Sequence, residues 1–205
     1  MRVGLFGGLL VLPWVSLLES SLPALPPAFR QSPAIQTAMQ AITHLGLGWV
    51  DIGLFVALLT AGWWRRWPEG RRIGLYGALA VSGAGLLDQL LKQFSCRARP
   101  NAAEAGLFFA KFPCVFDGYA YSSFPSGHAT TAFAAAAFLA LWRPRLAIPA
   151  FLLAALVALS RVYLGAHFPS DVLAGALLGT SAAMAGWRWV ERKGGGEQRT
   201  LNVER

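Results

Sequence analysis

The sequence predicts an all-α polytopic membrane protein, a bundle of six transmembrane helices, and three observations carry that prediction. The 205-residue chain is 55% hydrophobic and only 14% charged, with a mean hydropathy of +0.47, too apolar for a soluble domain of this size. Six apolar runs approach the ~20 residues that a helix needs to cross ~30 Å of hydrocarbon. The basic residues behind the net charge of +8 cluster at the ends of those runs, which marks them as topology signals and argues against nucleic-acid partners.

The first run, Val3 to Leu18, follows Arg2 and precedes Ser20, Ser21 and Ala24. A cleaved signal peptide is the alternative to a first span, although no clear small-x-small site precedes Pro23, Pro26 and Pro27. Glu19 to His44 then reads as an outer loop. The second run, Leu45 to Trp64, and the third, Ile73 to Leu91, are joined through Arg65, Arg66, Arg71 and Arg72. Lys92 to Ser123 reads as a second outer loop. The fourth run, His128 to Trp142, is short, and an earlier start at Phe124 or tilt makes up the length. Arg143 and Arg145 separate it from the fifth, Leu146 to Leu164. A tight turn from Tyr163 to Phe168 leads to the sixth, Phe168 to Trp189, beside Arg188, Arg192 and Lys193. The three basic connections alternate correctly to lie on one side, the cytoplasmic one. The expected organisation is one transmembrane domain, residues 1–192, and a disordered cytoplasmic tail, 193–205, that opens on Gly194, Gly195 and Gly196.

Two features of the second outer loop leave alternatives open. Cys96 and Cys114 would form a disulfide in an oxidising compartment, or pack as free thiols in apolar surroundings. Phe108, Phe109, Phe112, Phe116, Tyr119 and Tyr121 suit either a lip that admits an acyl or prenyl chain or an interfacial aromatic belt.

Polar residues of unusual type gather at the outward ends of the runs. They are Lys92, Arg97, Arg99 and Pro100, then Pro125 to His128, then Ser160, Arg161, His167 and Asp171. Ionisable groups at a bilayer are costly unless they pair, line a watery cavity or bind something. Several cations suit a phosphoryl group, and two histidines supply nucleophilic and acid-base chemistry. Ser126 is placed to cap the fourth helix, and Gly127 allows close approach to N–H groups at a helix start, an anion site. His167 and Asp171 are four apart, so the carboxylate can reach one ring nitrogen and leave the other as nucleophile. Asp88 is four before Lys92 and is placed to pair with it. His44 and Asp51 read as interfacial.

Lys92-x6-Arg99-Pro100, Pro125-Ser126-Gly127-His128 and Ser160-Arg161-x5-His167-x3-Asp171 together resemble the three-part signature of the type 2 phosphatidic acid phosphatase superfamily, which includes vanadium haloperoxidases. The resemblance spans Lys92 to Asp171. It implies that His167 attacks phosphorus to form a phosphohistidine, that Asp171 orients it, and that His128 protonates the leaving oxygen and then activates water. It also implies that Lys92, Arg99, Ser126, Gly127, Arg161 and Ser160 hold the phosphate oxygens. No metal and no cofactor are expected, because a cationic cage supplies the charge stabilisation that phosphoryl transfer needs. The expected substrate is a lipid phosphate or diphosphate drawn from the bilayer, undecaprenyl diphosphate first. Phosphatidylglycerol phosphate, phosphatidic acid and lipid A are alternatives, as is phosphotransfer to another lipid. The expected location is the cytoplasmic (inner) membrane with the site facing the periplasm. A noncatalytic lipid transporter is the reading from another class.

Overall fold

The computed structural model of the chain describes residues 32–114 and 118–203. The first apolar run and Phe116 lie outside the described residues. Within them are six α-helices and no strand: α1 (Pro33–His44), α2 (Gly48–Trp64), α3 (Pro68–Ser95), α4 (Gly127–Trp142), α5 (Ala147–Tyr163) and α6 (Pro169–Val203). Five of these, α2 to α6, correspond to predicted runs. The sixth, α1, falls in the stretch read as loop. Its apolar positions, Ile35, Ala38, Met39 and Ile42, recur at helical spacing among polar residues, so it forms an amphipathic helix that a search for uniformly apolar spans passes over. Pro33 starts it at a position where a missing N–H costs nothing.

Among the described residues, α3 and the segment Pro144–Tyr163 are each long and apolar enough to cross a bilayer, and α1 with α2 makes a third such unit, bent by 51°. The outward faces carry a belt of exposed leucine and isoleucine, with Leu54, Leu79, Leu86, Ile148, Leu152, Leu173 and Leu177 each more than half exposed. A bilayer covers such a surface; water does not. The basic connections meet at one end, where Arg143 pairs with Glu69 at 2.7 Å and Arg71 stacks over Trp63. Exposed Trp63, Trp64 and Trp189 surround them, as an interfacial girdle would.

Helix α4 is the centre of the bundle, and its alanine-rich sequence explains why. Ala129, Ala134, Ala136 and Ala137 are buried, and their small side chains let neighbouring helices approach from several sides. The closest neighbour is α6. A Cβ added at Gly175 would stand 2.6 Å from the Ser126 carbonyl oxygen, and one at Gly179 would strike the Thr130 carbonyl. Gly175 and Gly179 follow Asp171 at intervals of four, so one stripe of α6 carries both the close contact and the carboxylate. On the far side Phe55, Phe138 and Trp187 stack edge to face in the main core. Helix α6 continues to Val203, so the expected division at residues 192 and 193 is not marked by a break in the backbone.

Candidate active site

The three signature segments come together at the end of the bundle opposite the basic connections. Asp171 lies fully buried at the base of the site. One oxygen accepts from Arg97, and the other accepts from the Ser123 hydroxyl at 2.6 Å and from the Phe168 N–H at 2.9 Å. Arg97 is itself fully buried between the rings of Phe108 and Phe168, 4.7 and 4.3 Å from the guanidinium carbon, and also donates to Ser170 and to the Gly106 carbonyl. It is not a phosphate ligand; it holds the carboxylate. The Asp171 backbone carbonyl accepts from the Ser126 N–H at 2.9 Å, so the α4–α6 contact fixes the spacing between the two motif segments directly.

His167 sits in the short turn between α5 and α6, 3% exposed. Its Nδ1 lies 2.8 Å from the Ser123 carbonyl oxygen and 3.5 Å from an Asp171 carboxylate oxygen. The expected carboxylate partner is therefore present, but the shorter partner is a backbone acceptor that the sequence reading did not find. Both acceptors place the proton on Nδ1, which leaves the Nε2 lone pair available. Nε2 faces the Arg99 guanidinium at 3.2 Å. Burial pushes the imidazole down to about 4, against the pull of Asp171, with the Arg99 and Arg161 cations adding to the depression. The ring is thus neutral, the nucleophilic form, throughout the physiological range.

Arg99 is 3% exposed and donates to the carbonyls of Tyr119, Ala166 and Ser122 while stacking on the Tyr119 ring at 3.6 Å. Lys92 pairs with Asp88 as the spacing predicts, and Asp88 also accepts from Thr130 on α4. Gly127 faces this pair: a Cβ there would stand 3.1 Å from the Asp88 carboxylate and 3.3 Å from the Lys92 ammonium, so any larger residue would push the lysine aside. Arg161 donates to the hydroxyl of Thr43, at the end of α1. His128, half-buried on the first turn of α4, lies within the field of Arg161, His167, Arg99 and Lys92.

Two donors at this place have no partner among the described residues. They are the Ser126 hydroxyl and Arg161 Nε, both buried. Ser126 occupies the cap position of α4, yet its side chain makes no capping bond and stays available beside the exposed N–H groups of the first turn. Buried donors are nearly always satisfied, and a multi-oxygen anion would satisfy both here together with the helix start. Ser160 differs from expectation in detail, since its hydroxyl donates to the Val157 carbonyl of its own helix at 2.6 Å. Asp51, read as interfacial, is buried where the α1–α2 turn packs on α4, the Thr131 hydroxyl donating to the Gly46 carbonyl at 3.1 Å. His44 is exposed.

The loop between α3 and α4 is held by the Cys96–Cys114 disulfide, with the two Cα atoms 5.5 Å apart. Cys114 packs against the Lys92 carbonyl. Of the loop aromatics, Phe108 packs on Phe124 and Arg97, and Tyr119 covers Arg99, whereas Phe109 and Phe112 are exposed. Arg97, Ser123 and Thr43 are the contributors that sequence reasoning did not assign. For Arg97 a signal existed, since it stands two residues before Arg99. For Ser123 and Thr43 nothing in their spacing distinguished them.

Residues 73–194 match the family model of the PAP2 superfamily. Among curated proteins, the chain is 43% identical over 108 residues to a lipid A 1-phosphatase of Rhizobium johnstonii, an alignment covering 52% of this chain and 43% of the relative. It spans less than half the length of that relative. It is 30% identical over 179 residues to a decaprenylphosphoryl-5-phosphoribose phosphatase of Mycobacterium tuberculosis, covering 86% of this chain and 90% of the relative. Among solved structures, the PAP2-type phosphatidylglycerolphosphate phosphatase of Bacillus subtilis superposes with a TM-score of 0.62 at 27% identity, over 89% of this chain and 96% of that one. With the family match extending over more than half of its length and a relative aligned along most of both sequences, the chain belongs to the PAP2 superfamily.

Proposed function

We propose that this protein hydrolyses a lipid phosphate or diphosphate at the outer face of the cytoplasmic membrane through a phosphohistidine on His167. The observation that carries the reading is the pairing of a neutral His167, whose Nε2 faces Arg99 at 3.2 Å, with two partnerless buried donors, Ser126 Oγ and Arg161 Nε. Nε2 attacks phosphorus in line, and the bond to the leaving oxygen breaks as His128 supplies its proton. His128 then takes a proton from water, which attacks the phosphohistidine and releases phosphate. Asp171 and the Ser123 carbonyl stabilise the positive ring formed in the first step. Lys92, Arg99, Arg161, Ser126 and the Gly127 N–H neutralise the nonbridging oxygens, the part that a metal ion plays in other phosphoryl-transfer sites.

Undecaprenyl diphosphate, the substrate expected from the sequence, is supported by 48% identity over 112 residues, 54% of this chain, to an undecaprenyl-diphosphatase of Sulfolobus acidocaldarius. Lipids whose phosphate is borne by a sugar or glycerol are supported by the lipid A, phosphoribose and phosphatidylglycerophosphate relatives. Which of these binds best depends on the walls below the cage.

The test is phosphate release from undecaprenyl diphosphate, phosphatidylglycerol phosphate, phosphatidic acid and lipid A by purified protein with chelator present, beside His167→Ala. Release that depends on His167, with radiolabelled phosphate trapped on the protein after acid-free quenching, is the expected result. Equal release by His167→Ala would overturn the mechanism.

A further inference from the structure

A cavity of about 510 Å³ lies between α2, α4 and α5. Its position follows from helical spacing. On α4, His128 is succeeded at offsets of 4, 7 and 11 by Ala132, Ala135 and Leu139, all of which line the cavity. On α5, Arg161 is preceded at the same offsets by Val157, Ala154 and Ala150, which line it too. One stripe of each helix therefore carries a member of the phosphate cage at its outer end and the cavity wall beneath it. At ~1.5 Å per residue the cavity runs from ~6 to ~16 Å below His128. Leu54 and Leu153, both exposed, lie at its side, where a chain in the bilayer can enter.

The wall is apolar except for Asp51. That residue is 7% exposed, its carboxyl lies beside Thr131, and Oδ2 has no partner among the described residues. Thr131 is three residues after His128, so Asp51 stands about one helical turn below the cage, at the mouth of the cavity. A carboxyl group left unsatisfied in an apolar wall is costly, and no step of the phosphoryl transfer uses it.

We propose that the cavity holds one hydrocarbon chain of the substrate and that Asp51 receives a hydroxyl or amide N–H a few bonds from the phosphorus. This rests on the lipid phosphatase reading and deepens it. Lipids whose phosphate is attached to a hydroxylated sugar or glycerol, or lies near an amide, carry such a group, and a polyprenyl diphosphate carries none. The site therefore selects hydroxyl- or amide-bearing lipid phosphates over isoprenoid ones.

The experiment measures binding by native mass spectrometry in the His167→Ala background and phosphate release by the unaltered protein. The lipids are a 1-acylglycerol 3-phosphate, its 2-deoxy counterpart with the same chain, and geranylgeranyl diphosphate. The hydroxyl-bearing lipid is expected to bind about tenfold more tightly than the deoxy lipid. Asp51→Leu should bring that ratio close to one, and Asp51→Asn should preserve part of it. The Leu variant removes a partnerless buried oxygen, so folding should survive; retained monodispersity checks this. Ala154→Phe, which fills the cavity, should weaken the long-chain lipids more than glycerol 3-phosphate. An unchanged ratio in Asp51→Leu, or no preference in the parent, overturns the proposal. Selectivity in binding without release from any lipid would instead overturn the phosphatase reading and leave the chain site standing.

Discussion

The Nδ1 atom of His167 lies 2.8 Å from the backbone carbonyl of Ser123 and 3.5 Å from the carboxylate of Asp171, so two acceptors hold one ring nitrogen. A main-chain oxygen cannot be protonated away or removed by substitution. The tautomer of this imidazole is thus set by the path of the α3–α4 loop as well as by the acid.

Asp171→Asn should therefore cost less than in a triad where the aspartate alone fixes the tautomer, for which losses of ~10⁴ in kcat are typical. The expected drop is ~10² to 10³, from loss of charge opposite the forming imidazolium. Steady-state kcat in detergent checks it, with His167→Ala setting the floor. A variant no better than that floor would mean that the Ser123 carbonyl does not orient the ring.

Ser126→Ala should separate catalysis from stability. Its hydroxyl has no partner among the described residues, so the melting temperature should stay level or rise slightly. Losing one oxyanion donor should lower kcat by ~10². A fall in melting temperature of several degrees with kcat intact would assign the hydroxyl to folding instead.

Protonation of His167 should be observable directly. Burial first, then the Arg99 cation, hold it at about 4 against the carboxylate's pull. An NMR titration of labelled histidine, assigned through His167→Ala, should show the ring neutral to about that pH, and Arg99→Gln should move the midpoint upward. The linked effect on folding has a definite sign. Between about 4 and the unfolded value of ~6.5 the unfolded chain binds the extra proton, so stability rises with pH across that window and is lost as pH falls through it. A midpoint near 6.5 in the native protein would contradict the burial argument.

Reduction of Cys96–Cys114 should loosen the cage. The bridge spans 18 residues of sequence, worth ~3 kcal/mol in the chain-entropy account, and it anchors the strand of chain that carries Arg97 and Arg99. Cys96→Ser/Cys114→Ser should lower the melting temperature and raise KM for the phosphate-bearing substrate. Unaltered KM and melting temperature would show that the loop is held by Arg97 and its rings alone.

The legible part of the site was the part written as spacing. Lys92 and Asp88 four apart on α3, His167 and Asp171 four apart across the start of α6, and the cap position of Ser126 are relations of short sequence separation, and they stand in the structure where that spacing puts them. Relations between segments were invisible for the same reason. Nothing in the order of residues says that Ser123 will offer its carbonyl to His167, or that Thr43 will meet Arg161 from a helix 118 positions earlier. The fold was legible where apolar runs were long and unbroken. Helix α1 was not, because its apolar face is only a stripe, and burial of Asp51 went unread because it depends on the α1–α2 turn packing against α4.

Two sides of α4 meet different surroundings. Ser126, Thr130 and Ala134 face α6, whereas Ala132, Ala135 and Leu139 face the cavity. On the proposed chain site, retuning the protein toward a different lipid is a matter of repainting one flank of a single rod while its other flank stays untouched.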